Sequence, residues 1–180
     1  MSNLSDLILY SLFLLLLHGC VCTTEEEKEV PVSPDYVEKH MEGANVLLTM
    51  SEEDQIQDYI DRYSLPMNRT GTGLRYYIYK NGSGRKIENN TIVRFNFKVQ
   101  LLNGYVCYDS KTDGYKEALI GKADVVSGLE EGLKYMREGD SAKLIIPSHL
   151  AYGLLGDQDK IPTRATLIYD VEILQVRDRR

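Results

Sequence analysis

The chain is poor in the residues from which many enzymes build a reactive centre. Its 180 residues include no tryptophan and only three each of phenylalanine, histidine and cysteine. Only His149 lies in the second half of the chain, and no other histidine, cysteine or carboxylate stands near it at the spacing of metal ligands. A Ser-His-Asp arrangement cannot be argued either. The sequence therefore predicts no metal site, and we expect no cofactor.

Neither a basic surface nor a disulfide framework is predicted. The formal net charge is -6, and no basic run precedes the tail at residues 177–180. The electrostatic signature of nucleic-acid binding is therefore missing, and nucleic acid is not an expected partner. Cysteines occur at Cys20, Cys22 and Cys107, an odd number that argues against paired disulfides.

What the chain does contain is enough apolar material for one core. It is 43% hydrophobic and 27% charged, which is typical of a folded domain. Most of the 13 tyrosines follow Gly71, and tyrosine-rich strands indicate a sheet with amphipathic faces. The length allows one domain of about 100–150 residues with extensions.

The first 50 residues carry an export pattern. Leu7 to Leu17 is an apolar run too short to span a bilayer, and it fits the core of a signal peptide at residues 1–19. Cys20 follows a small residue, as in the lipobox of bacterial lipoproteins, which predicts cleavage before Cys20 and lipidation of its thiol. An uncleaved anchor or an ordinary secretory signal are the alternatives, because the segment before the apolar run has no lysine or arginine. The lipoprotein interpretation places the protein on a membrane, in the periplasm or at the outer membrane or cell surface.

An acidic tether and a helix are expected next. Residues 20–50 are acidic and proline-containing, with weak helical character near the end, and are typical of a flexible linker. Ser51 begins a capping-box pattern and an N-terminal helix over residues 51–66. Its apolar stripe comprises Ile56, Tyr59, Ile60 and Tyr63. The stripe either packs on the chain's own domain or serves as a dimerisation or client-holding arm.

Strand patterns fill the rest of the chain. Residues 71–80 and 91–102 read as strands, and Asn103-Gly104 is a hairpin signal. Leu129, Leu133 and Met136 have helical spacing, and residues 141–146 read as a strand ended by a proline. The predicted fold class is α+β, with an antiparallel sheet wrapped around one short helix and a helical extension before it.

Several motifs carry a specific resemblance. They are NGYVCYDS (103–110), IGKADVVSG (120–128), GLEEGLKYMREGDSAKLIIP (128–147), LAYG (150–153), IP (161–162) and ATLIYDVEIL (165–174). In this order they resemble the C-terminal half of FKBP-type peptidyl-prolyl cis-trans isomerases, and they imply an isomerase domain at residues 71–178. Together with the leader, the pattern is similar to the gliding-motility-associated FKBP-type lipoproteins of Bacteroidetes.

The resemblance implies a site for an X-Pro segment. Positions that it matches to catalytic groups are Phe97, Tyr108, Asp109 and Tyr152. Positions that it matches to the substrate-binding surface are Val125, Val126, Leu129, Ile161 and Tyr169. The Val126 N–H and the Tyr152 hydroxyl match donors to substrate carbonyls, Asp109 matches an acid that orients its neighbours, and Ile161 matches a loop residue that closes over the proline.

Plain structural roles stay open for most of these residues. The apolar ones also fit a core, and Asp109 also fits an acid at a strand end. Tyr152 differs, because an aromatic residue between Ala151 and Gly153 in a polar loop has little core to join. Only the ordered set favours the site.

Two positions depart from the family pattern. Leu129 stands where a tryptophan floor is frequent, and Lys116 stands where an aromatic wall is usual, with Tyr115 as a candidate substitute. These changes predict weaker catalysis and weak macrolide binding.

The sequence therefore predicts two alternative functions. The first is a membrane-tethered prolyl isomerase that assists the folding of exported proteins by acting on their proline-containing segments. The second is a binding or chaperone module of the same fold, with little turnover, in a motility or secretion apparatus.

Overall fold

The computed structural model describes residues 51–179, and in this part of the chain seven strands form one antiparallel sheet. Helix α1 (51–62) comes first. The other elements are β1 (Asn68–Arg69), β2 (Arg75–Lys80), β3 (Thr91–Leu101), β4 (Val106–Asp109), α2 (Ser110–Asp113), β5 (Lys116–Leu119), α3 (Ser127–Lys134), β6 (Ser141–Ile146), a 3₁₀ turn (Ser148–Leu150) and β7 (Leu167–Asp178). The predicted α+β class is confirmed.

The last strand lies in the middle of the sheet. The strand order is β1-β2-β6-β7-β3-β4, and β5 also pairs with β3. Strand β7 pairs with β3 from Thr91–Asp178 to Leu101–Leu167, and with β6 on its other side. The hairpin predicted at Asn103-Gly104 is confirmed, since β3 and β4 are antiparallel neighbours and the Leu101 N–H donates to the Tyr105 carbonyl over 2.9 Å.

The concave face of the sheet packs on α3. Alternate residues of β3 point inward, with Val93, Phe95 and Val99 fully buried, as the period of two requires. Leu129, Leu133 and Met136 are all buried, although α3 ends at Lys134, before Met136. A Cβ on Gly128 would lie 2.4 Å from Ile146 Cγ2, so glycine is what lets the helix approach β6 this closely.

The opposite face carries α1. Ile56 and Tyr59 form a small buried cluster with Ile145 and Ile168, whose neighbours along the same strands point into the main core. The interpretation that the helix packs on its own domain is therefore confirmed for Ile56 and Tyr59, whereas Tyr63 is 57% exposed.

Some boundaries differ from the predictions. Ser51 is already helical, and the acids after it bond to other elements instead of closing a capping box. The helix ends at residue 62 instead of 66. Strand β2 begins at Arg75, because Thr70 and Gly73 form a turn in which the Gly73 N–H donates to the Thr70 carbonyl.

The signal peptide, the lipidation site at Cys20 and the acidic tether lie outside the described residues. Within residues 51–179, no helix combines the length and the apolar character needed to cross a membrane.

Candidate active site

A cavity of about 510 Å³ opens between the concave face of the sheet, the start of α3 and the loop after the 3₁₀ turn. Its floor consists of buried apolar and aromatic side chains, namely Phe95, Val99, Leu129 and Tyr169. Its walls are half-buried side chains, namely Phe97, Tyr108, Val125, Val126 and Tyr152. Charged side chains, namely Asp113, Lys116, Asp124 and Lys160, complete the lining. The cavity is thus apolar inside and charged around its mouth.

The tyrosines of the cavity stay neutral. Burial raises the pKa of Tyr169, and nearby Tyr152 adds to the rise. Burial likewise raises the pKa of Tyr152, with a smaller contribution from the charge of Asp157. Because an ordinary tyrosine already titrates near pH 10, each hydroxyl remains a hydrogen-bond donor at neutral pH.

Two donor groups lie at the cavity wall without a protein acceptor in the described part of the chain. Val126 is the N-cap of α3, and its carbonyl accepts from the Glu130 N–H over 3.0 Å, but none of residues 51–179 accepts from its own N–H. The hydroxyl of Tyr152 likewise has no hydrogen-bond partner among the described residues. Both donors are therefore available to a bound molecule.

Asp157 joins Tyr108 in the cavity wall to the loop of residues 157–161. The Tyr108 hydroxyl donates to its carboxylate, and so do the amides of Ile161 at 2.7 Å and Asp159 at 3.0 Å. Partial burial by itself raises the pKa of Asp157, but the hydrogen bonds from Tyr108 and the loop amides outweigh it and hold that pKa below its ordinary value. The Tyr108 hydrogen bond raises the pKa of Tyr108 in turn. Lys160 lies over the Tyr108 ring at 4.7 Å.

Seven of the nine residues predicted by resemblance line this one cavity. They are Phe97, Tyr108, Val125, Val126, Leu129, Tyr152 and Tyr169. Asp109 is not among the lining residues, because its carboxylate caps α2 by accepting from the Lys111 N–H over 2.9 Å. Ile161 is also absent from the lining, because its side chain is buried in the main core.

The structure also shows which residue occupies the wall position where the family usually has an aromatic ring. Lys116 lines the cavity, and Tyr115 does not. The Tyr115 ring is 55% exposed and lies under the Arg94 guanidinium, 4.5 Å from its centroid. The expectation that Tyr115 restores the missing aromatic wall was therefore wrong.

Sequence reasoning missed Asp157 and two residues of the cavity floor, Phe95 and Val99. Phe95 and Val99 were visible as inward residues of β3, but not as part of a cavity. Asp157 follows Gly156 in a loop whose two segments approach each other closely. A Cβ on Gly156 would lie 2.2 Å from the Ile161 carbonyl oxygen. The Gly-Asp pair four residues before Ile161-Pro162 was the available signal for a carboxylate that organises the loop.

Comparison with known proteins assigns the family. Residues 83–174, about half of the chain, match the family described as FKBP-type peptidyl-prolyl cis-trans isomerase. The chain belongs to that family. The narrower likeness to gliding-motility lipoproteins of Bacteroidetes stays a prediction.

Curated members of the FKBP-type family match this chain over part of their own length. FkpA of Buchnera aphidicola subsp. Schizaphis graminum is 31% identical over 158 residues, which is 84% of this chain and 62% of that protein. FkpA of Escherichia coli strain K12 is 38% identical over 109 residues, which is 60% of this chain and 39% of that protein. The chain thus spans about two fifths to three fifths of these relatives.

Solved structures agree on the fold. The crystal structure of FkpA from Escherichia coli aligns with 99% of this chain and 84% of its own at a TM-score of 0.62 and 23% identity. The crystal structure of AtFKBP13 aligns with 61% of this chain and 97% of its own at a TM-score of 0.57 and 26% identity. The antiparallel sheet around one short helix is therefore the FKBP fold.

Proposed function

We propose that this chain accelerates cis-trans isomerisation of X-Pro peptide bonds. The observation that carries the proposal is one apolar aromatic cavity with two donors at its wall, the Val126 N–H and the Tyr152 hydroxyl. Membership of the FKBP-type family supports it.

The chemistry needs no nucleophile. Resonance keeps the amide planar and sets a rotation barrier of about 18–20 kcal/mol. The twisted transition state has lost that resonance and is less polar than the planar amide. An apolar floor of Phe95, Leu129 and Tyr169 therefore favours the transition state over the ground state.

Donors at the wall add selectivity for the twisted geometry. A substrate carbonyl that accepts from the Val126 N–H, and another that accepts from the Tyr152 hydroxyl, would be held while the bond between them rotates. Such fixed donors stabilise a transition state without reorganising during the reaction. Asp157 supports the wall at Tyr108, because it fixes this side chain against the loop.

The substrates proposed here are proline-containing segments of exported proteins, and the proposed place is a membrane surface outside the cytoplasm. The support is the leader pattern of residues 1–19 and the cysteine at Cys20. Each buried CH₂ of a lipid chain contributes about 0.8 kcal/mol to anchoring, so several chains on Cys20 would hold the protein on a membrane. Assistance to protein folding follows from this place and activity.

A binding module is the second candidate, and two lining residues favour it. Leu129 makes the cavity floor broader than an indole ring would, and Lys116 places a charge where an aromatic wall is usual. Both features would weaken turnover and macrolide binding while leaving room for a proline segment. Such a module would hold a partner, for example in a motility or secretion apparatus.

The discriminating experiment measures isomerisation of short X-Pro peptides by the full chain. We expect clear acceleration, with Tyr152→Phe lowering kcat/KM about tenfold by removing one donor to the transition state. Tyr79→Phe is the matched control, because this tyrosine is on β2 and outside the cavity.

One outcome would count against the enzyme, and another against the assigned site. One is a folded wild-type protein with no acceleration for any residue before proline, in which case saturable binding of the same peptides would support the binding module. The other is acceleration that Tyr152→Phe leaves unchanged, which would place the reaction elsewhere.

A further inference from the structure

A carboxylate of α1 reaches the segment that precedes Tyr152. Glu52 Oε1 accepts from the Ser148 N–H over 2.6 Å and from the Thr166 hydroxyl over 2.6 Å, and Oε2 accepts from the Ser148 hydroxyl over 2.9 Å. Ser148 and Thr166 are both buried. Hydrogen bonds to an ionised acceptor are among the stronger ones, so this contact fixes Ser148 relative to the helix.

Ser148 in turn fixes the backbone on both sides of Tyr152. Its carbonyl accepts from the Ala151 N–H over 3.0 Å and from the Gly153 N–H over 2.8 Å. The carbonyl of Gly153 accepts from the Arg164 N–H over 2.8 Å. Tyr152 therefore lies between two amides that share one acceptor, and its position follows that of Ser148.

The next acid of the helix has a different task. Glu53 pairs with Arg75, which is buried, and with Arg69 over 3.2 Å. These contacts hold α1 to the edge formed by β1 and β2, and neither arginine belongs to the Tyr152 loop. Glu53 therefore attaches the helix away from the Tyr152 loop, whereas Glu52 contacts the residue that fixes that loop.

We propose that Glu52 is a positioning residue for prolyl isomerisation, acting through Ser148 to hold the Tyr152 hydroxyl at the cavity wall. The inference rests on the proposed function. Without the carboxylate, three donors of buried residues lose their acceptor, and the loop must shift to reach another one. A misplacement of about 1 Å can lower a rate by up to about a hundredfold. By this proposal α1 belongs to the catalytic unit as well as to the scaffold.

The test compares kcat/KM for an X-Pro peptide among variants of the full chain. Glu52→Ala is expected to lower it about tenfold, because the donor loses its fixed position. Glu52→Gln retains an Oε1 acceptor for Ser148 and Thr166 and should stay within about threefold of the wild type. Glu53→Gln is the matched control and should stay within about twofold, although it lowers thermal stability by weakening the pair with Arg75.

A double-variant comparison separates positioning from general damage. In a Tyr152→Phe background, Glu52→Ala should add less than about a twofold loss, because the hydroxyl it positions is already absent. A full tenfold loss in that background, or an equal loss in Glu53→Gln, would overturn the proposal. Circular dichroism at the assay temperature verifies that each variant is folded.

Hydrogen exchange keeps the inference testable if the wild-type chain proves inactive. That result would defeat the proposed function alone. Glu52→Ala should then still speed exchange of the Gly153 amide relative to Glu53→Gln, because its acceptor Ser148 is released. Unchanged exchange at Gly153 would defeat the positioning role itself.

Discussion

Asp157 shows how one side chain can organise a wall of the cavity. Its carboxylate accepts from the Tyr108 hydroxyl and from loop amides, so a change at Tyr108 is transmitted to the loop. Neither residue needs to transfer a proton for this effect. The hydrogen bond between Tyr108 and Asp157 therefore stabilises the fold beside the proposed site.

Tyr108→Phe tests how much this hydrogen bond contributes to stability. Removing the hydroxyl leaves Asp157 with one donor fewer, and we expect the free energy of unfolding at pH 7 to fall by about 1 kcal/mol. Urea denaturation measures the change. Tyr105→Phe is the control, since that ring is 55% exposed and its loss of a hydroxyl should have no measurable effect. Equal stability of Tyr108→Phe and the wild type would mean that the hydrogen bond has no net value.

At the scale of elements, α1 is attached to the sheet by apolar contact and by its two acids. Ile56 is 1% exposed and packs with Ile145 and Ile168, whereas Tyr63, two turns further on, is 57% exposed. The stripe is therefore buried at Ile56 and Tyr59 and exposed at Tyr63, which follows the last residue of the helix. This asymmetry assigns the apolar docking energy to Ile56 and Tyr59.

Truncating the two ends of the stripe should give different results. Ile56→Ala is expected to lower the free energy of unfolding by about 2–4 kcal/mol, because it leaves a cavity between helix and sheet. Tyr63→Ala should change it by less than about 0.5 kcal/mol, as surface substitutions usually do. Chemical denaturation of both variants provides the comparison. A large loss in Tyr63→Ala would instead indicate that this ring is covered, as in the dimerisation-arm alternative.

The elements that sequence alone predicts are those with a repeating pattern. The alternation of Val93, Phe95 and Phe97 and the spacing of Leu129 and Leu133 follow from the periods of strand and helix. The site was predicted through family motifs, which do not show what each side chain contacts in space. Asp109 and Ile161 kept their positions in the motif but were used for a helix cap and for the core.

Contacts far apart in the chain explain what could not be predicted. Glu52 accepts hydrogen bonds from Ser148, 96 positions away in the sequence, and from Thr166, 114 positions away. No local sequence pattern predicts contacts over such separations. Ser51 to Asp54 looked like a capping box because the acids were interpreted locally. Their actual partners belong to the edge strands and to the loop after β6.

For the whole molecule, several carboxylates share one direction of pKa shift. Hydrogen bonds from Arg94 lower the pKa of Glu117, and those from Arg85 lower the pKa of Asp178. A hydrogen bond from Lys134 lowers the pKa of Glu130. A carboxyl with a lowered folded-state pKa contributes stability above its ordinary pKa, and that contribution is lost as the pH falls through the folded-state value.

The free energy of unfolding should therefore decline on acidification. The ordinary pKa values are 4.5 for glutamate and 3.8 for aspartate, so we expect the decline to begin as the pH approaches 4.5 and to continue below 3.8. Urea midpoints measured from pH 7 to pH 3 test this expectation. Added salt should flatten the curve because the ion pairs are exposed. A midpoint that stays constant or rises on acidification would contradict it.

The central position of β7 in the sheet also determines when the sheet can form during synthesis. Its partners β3 and β6 are synthesised earlier, yet they have no strand between them until residues 167–178 exist. A nascent chain that ends before this segment lacks the middle of its sheet. Such pairing between distant segments is slow compared with local structure formation. The sheet can therefore be completed only after residues 167–178 have been synthesised.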